Sequence, residues 1–177
     1  MATLILKEIA FVKLASEYLG YTNQETKTLL KLAEGGVEMS PRLWEMIIEK
    51  VAKIKFLNES GYDFDDFTEA KTGSMTIRHD SYSGYCKRGG RITNADGKIG
   101  HMRVAIWNEC TNDIDFFLIP PDHCCTSYSS AKNPQGAIQF SYSSKHDSYA
   151  NNLEMYRVVS VEEVCKKVCN KKYKKAA

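Results

Sequence analysis

The sequence predicts an α/β protein leaning to α+β, in which N-terminal helices pack on a mixed, largely antiparallel sheet. Three observations predict it. Apolar residues recur at three- and four-residue spacing through the first 56 residues, the period switches to two after Asn58-Glu59-Ser60-Gly61, and two apolar runs near residues 100–107 and 114–119 are separated by a short connection. Residues 1–58 are expected as a helical layer, 62–142 as the sheet and 160–172 as a C-terminal helix. With 177 residues the chain is expected to form one domain, large enough for a core without metal or disulfide staples.

Each element has its own signal. Residues 4–19 place Leu6, Ile9, Ala10, Val12, Leu14 and Leu19 at helical spacing, and Gly20 ends the run. Thr22 and Asn23 offer caps for a second helix over 24–33, stopped by Gly35-Gly36. Ser40-Pro41 is the clearest start signal, a capping hydroxyl followed by proline at the first helical position. The third helix runs to about residue 56 on Leu43, Met46, Ile47, Val51 and Ile54, with Lys and Glu opposite. Residues 68–78 alternate as a strand. Residues 100–107 (GHMRVAIW) and 114–119 (IDFFLI) form an antiparallel hairpin that Pro120-Pro121 terminates, because proline donates nothing to a ladder. Residues 126–135 are expected as a mobile loop, 137–142 as a short strand and 160–171 as a helix opened by Ser160, Glu162 and Glu163.

Composition narrows the functional classes. Charged residues make up 26% and hydrophobic ones 43%, the balance of an ordered globular chain. The net charge of +2 gives no whole-molecule attraction for nucleic acid, so any such contact must come from local clustering. The N-terminus lacks a basic leader with a small-residue cleavage site, and no run approaches a membrane span, so a cytoplasmic location is expected. The six cysteines contain no C-x-x-C and are expected as free thiols. No G-x-S-x-G elbow or H-E-x-x-H pair is present.

The chemistry-bearing stretch is residues 62–78, YDFDDFTEAKTGSMTIR. On a strand Glu69 and Lys71 project to one side while Ala70 between them points into the core. Asp63, Asp65 and Asp66 lie just upstream, and hard carboxylate oxygens around a small space suit Mg²⁺. These residues resemble the PD-(D/E)xK nuclease superfamily, whose signature is an upstream Asp followed by Glu/Asp-x-Lys on a strand. Glu69-Ala70-Lys71 matches the second half, and one of Asp63, Asp65 or Asp66 the first. The resemblance implies a restriction-endonuclease-like core, a Mg²⁺ site on Asp63, Asp65, Asp66 and Glu69, and a catalytic set of Lys71, Glu69 and Asp66. In the family Lys positions or activates the water that attacks a phosphodiester. The gap from Asp66 to Glu69 is shorter than the family's, so Glu45 or Glu49 of the preceding helix could complete the site instead.

Basic residues follow this stretch. Arg78, Lys87, Arg88, Arg91, Lys98 and Arg103, with Tyr82 and Tyr85 interleaved, are expected to contact a phosphate backbone. The expected activity is therefore Mg²⁺-dependent endonucleolytic cleavage of DNA, by a homodimer if both strands are cut. The competing expectation is a non-enzymatic nucleic-acid-binding or protein-interaction module, in which the acids form a solvated turn and the Glu69/Lys71 pair is a weak surface ion pair.

Overall fold

The computed structural model describes residues 2–57, 63–78, 81–87, 101–120, 128–130, 133–137, 139–143, 151–166 and 168, with side chains described over 2–57, 63–75, 101–120, 154–166 and 168. Three helices lead the chain: α1 (Ala2–Leu19), α2 (Asn23–Glu34) and α3 (Ser40–Ala52). Strands β1 (Glu69–Arg78), β2 (Ser81–Lys87), β3 (Met102–Asn108) and β4 (Asp113–Ile119) follow, and then β5 (Tyr128–Ser130), β6 (Asn133–Ala137) and β7 (Gln139–Ser143). A 3-10 turn (Asn151–Tyr156), the short β8 (Arg157–Val158) and a one-turn helix α4 (Val161–Cys165) close the described chain.

Local chemistry accounts for the helix starts. Thr22 caps α2 in a complete capping box: its hydroxyl accepts the Glu25 N–H, and the Glu25 carboxylate accepts the Thr22 N–H at 2.7 Å. At α3 the cap differs from the sequence expectation. Ser40 already lies inside the helix, and the buried Glu8 carboxylate of α1 accepts the Met39 and Ser40 N–H groups, each at 2.7 Å, and the Ser40 hydroxyl at 2.8 Å. A carboxylate at the positive end of a helix is favourable, and Lys7 at 3.3 Å from Glu8 balances its charge. A side chain from another helix thus does what the local serine was expected to do. Lys53 stops α3 in the left-handed region at φ 55°, three residues before the expected end.

The main sheet has six strands in the order β7-β2-β1-β3-β4-β8. β1 and β3 run parallel, with Ala70 opposite Arg103, and every other pairing in this sheet is antiparallel. The sheet is therefore mixed and largely antiparallel, as expected, and the β3–β4 hairpin forms with Trp107 opposite Ile114. Two expectations are corrected. β5 lies and β6 begins in the stretch 126–135 expected as a mobile loop, and the two pair with each other, while the last helix is described only to Cys165, where Lys166 turns extended.

The core lies between the helices and one face of the sheet. Phe11, Val12 and Ala15 of α1 and Leu43, Trp44, Ile47 and Ile48 of α3 pack with Ala70, Ala105 and Trp107 of the central strands, while Val161, Val164 and Cys165 of α4 fill one end. Trp44 is fully buried, stacks on Phe116 with ring centroids 5.6 Å apart, and donates its indole N–H to the Arg103 carbonyl at 3.0 Å. All of β3 is buried, as befits a strand in the middle of the sheet.

Candidate functional site

The segment before β1 is a tight loop that its own backbone defines. The Thr68 carbonyl accepts the Asp63 and Phe64 N–H groups at 3.1 and 3.2 Å, Phe67 takes φ 65°, and Phe64 bridges to Phe56 and meets its ring edge-on at 5.9 Å. Phe64 is fully buried, which pins the loop against the exit of α3. Each acid of the loop therefore points in its own direction.

Asp63 folds back onto the start of β1, where one carboxylate oxygen accepts the Ala70 N–H at 2.8 Å. Glu69 and Lys71, two apart on β1, form an ion pair at 2.8 Å, with Glu69 only 4% exposed and Lys71 half-buried. Ala70 between them is buried among the helix-facing core residues, as strand alternation requires. Glu45 of α3 belongs to the same electrostatic neighbourhood. Burial holds its carboxyl above the ordinary 4.5, against a hydrogen bond from Arg42, while the Asp63 charge adds to the rise and the Lys71 charge opposes it. Glu69 and Lys71 are thus joined directly, Asp63 is tied to the backbone between them, and Glu45 feels the Asp63 and Lys71 charges.

Asp65 and Asp66 depart from the expected ligand set. Asp65 is exposed and accepts the Lys55 N–H at 3.1 Å. Asp66 accepts the Thr68 hydroxyl at 2.5 Å and pairs with Arg103 at 3.0 Å. Glu49, the other helix acid considered, accepts the Phe56 N–H at 2.9 Å and so closes the exit of α3. Among the described residues no three His, Cys, Asp or Glu side chains are grouped closely enough to hold a metal ion.

Arg103 corrects the expected phosphate contacts. Its side chain is fully buried, donating to Asp66 and the Thr68 hydroxyl on one side and to the Val164 and Lys166 carbonyls, at 3.1 and 3.3 Å, on the other. A guanidinium with its donors spent inside the protein is a structural clamp. Arg78 and Lys87 lie on β1 and β2, paired with Ser81 and Gln139, and Arg88, Arg91 and Lys98 lie outside the described residues. Cys110 and Cys165 are free thiols, and burial pushes Cys165 up to about 12.

Sequence reasoning passed over a second basic surface. An open groove of about 740 Å³ borders the loop, lined by Arg42, Lys50, Lys53, Lys55, Tyr21 and Asp65 among others. Its cations were legible only as the polar face of α3.

The fold and site define an α/β protein with helices on one face of a mixed sheet and an acid–lysine pair on a central strand. No family model, curated protein or solved structure matches the chain. No helix among the described residues is long and apolar enough to cross a membrane.

Proposed function

We propose that this chain is a Mg²⁺-dependent endonuclease that hydrolyses phosphodiester bonds in DNA, of the restriction or phage type, with a PD-(D/E)xK-like site. The observation that carries the reading is the Glu69–Lys71 pair at 2.8 Å on β1, with Asp63 bound to the intervening Ala70 N–H and Glu45 within electrostatic reach. Asp63 and Glu69 offer hard oxygens of the kind Mg²⁺ prefers. That ion keeps several waters and commonly takes one or two carboxylates plus substrate phosphate, so two protein ligands suffice.

When bound, Mg²⁺ supplies charge neutralisation at the phosphate oxygens and polarises water. The chain's own residues do the rest. Lys71 sits beside Glu69, which fixes its ammonium where it orients the attacking water and offsets charge building on the phosphate. Glu45, whose carboxyl is raised by burial and which feels the Lys71 charge, is the group suited to take the water's proton. Asp63 holds the strand entrance through Ala70, so the spacing of Glu69 and Lys71 is fixed before substrate arrives. One such site cuts one strand, so double-strand scission calls for two copies of the chain.

Plasmid nicking with and without Mg²⁺ tests the reading. The parent protein is expected to convert supercoiled DNA only when Mg²⁺ is present, and Glu69→Ala and Lys71→Ala are each expected to lose about 10²–10⁴-fold in rate while keeping most of their DNA affinity. A parent that binds DNA yet never nicks it under any divalent cation returns the chain to the class of binding modules.

A further inference from the structure

We infer that the open groove along α3 and its exit holds the sugar-phosphate backbone of duplex DNA flanking the site. The inference rests on the proposed nuclease reading only for where the scissile phosphate lies. Four cations line the groove: Arg42, Lys50, Lys53 and Lys55. The three lysines are exposed, and so is Arg42, whose side chain is 55% accessible.

Two carboxylates also border the groove, and each is engaged by backbone. Glu49 accepts the Phe56 N–H and Asp65 the Lys55 N–H. With Arg42 paired to Glu45, the three lysines against Glu49 and Asp65 leave a local positive excess that the whole-molecule charge of +2 does not reveal. The α3 carbonyl end carries partial negative charge, and the lysines clustered there outweigh it.

Arg42 makes the groove continuous with the site. It lies over the Phe56 ring at 4.6 Å from its centroid and pairs with Glu45 at 3.1 Å, and Glu45 in turn feels Asp63 and Lys71. Asp65 lines the groove and is two residues from Asp63. A backbone lying along Lys50, Lys53 and Lys55 therefore passes Arg42 and reaches the acid–lysine pair. The space is open and shallow with cations on flexible stems, which fits a polyanionic strand rather than an enclosed small molecule.

The double variant Lys50→Gln/Lys53→Gln tests this, with Lys27→Gln/Lys31→Gln on exposed α2 as a charge-matched control. Both keep polar side chains and lose two charges. Anisotropy of a fluorescein-labelled duplex is measured across salt concentrations in Ca²⁺, which takes the same oxygen ligands, and cleavage is measured in Mg²⁺. The groove variant is expected to lose about 2 from the slope of log affinity against log salt and roughly tenfold in affinity near physiological salt. Its KM rises while kcat holds, and the α2 control behaves like the parent. A groove variant indistinguishable from the control, or a parent that does not bind the duplex, overturns the inference. The two readings fail separately: binding lost in the groove variant with no cleavage by the parent retains the groove and rejects the nuclease. Cleavage that depends on Glu69 and Lys71 but ignores Lys50 and Lys53 does the reverse.

Discussion

At the scale of the residue, Glu45 and Arg103 carry the most information. Glu45 titrates above its ordinary 4.5 because it is taken from water. A carboxyl raised on folding lends stability in its protonated form, fully present below the unfolded value and lost as pH rises through the folded one. Glu45→Gln mimics that protonated form. Its melting temperature should match the parent's in acid and exceed it increasingly as pH rises, which calorimetry across a pH series would read. If Glu45 also accepts the proton in catalysis, the same substitution should abolish the acidic limb of the kcat/KM profile. Arg103 gives a different expectation. Removing one member of a buried pair costs about 3–5 kcal/mol because the other charge is stranded; Arg103→Met should lower the melting temperature by roughly 10 °C or more, without flattening the salt dependence of DNA binding. By composition alone Arg103 was one more cation in a basic stretch, since a one-dimensional count has no term for an inward-pointing strand residue. Glu69 and Lys71 were legible because a two-residue period puts them on one side of a strand whatever else the fold does. The separation of Asp63 from Asp65 and Asp66 was not, because it depends on Thr68 and on the left-handed backbone at Phe67.

Among the elements, α3 does most to position the site. It supplies Glu45 and Arg42, its buried face joins the helices to β1 and β3, and its exit is tied to the loop through Phe56 and Phe64. Trp44→Ala should cost about 3–5 kcal/mol, read from denaturant midpoints, since it empties a fully buried site and also leaves the Arg103 carbonyl without its indole partner. The helix was readable from its apolar spacing and from Pro41. Its cap was not, because Glu8 lies 32 residues before Ser40 and no local pattern announces the contact. The β3–β4 hairpin was equally readable, as its partners are neighbours in sequence. The parallel pairing of β1 with β3 was hidden, because the pairing partner of Ala70 is Arg103 and only the folded sheet brings them together.

For the whole molecule, the helices cover one face of a mixed sheet and the site lies at one end of its central strands. Ligand binding to the native state alone stabilises it by mass action, about 2.7 kcal/mol at a hundredfold excess over Kd. Mg²⁺ should therefore raise the melting temperature of the parent, EDTA should reverse the shift, and Glu69→Ala should blunt it. The clamp formed by Arg103 has a reach beyond its own neighbourhood, because it grips the last turn of α4 with one hand and the acidic loop with the other. The segment that bears Val164 and Lys166 is thereby tied to the loop that bears the aspartates. A chain cut short before Val161, even if it still folds, should arrive with Asp66 and its loop loosened, which faster amide exchange over residues 63–68 would report.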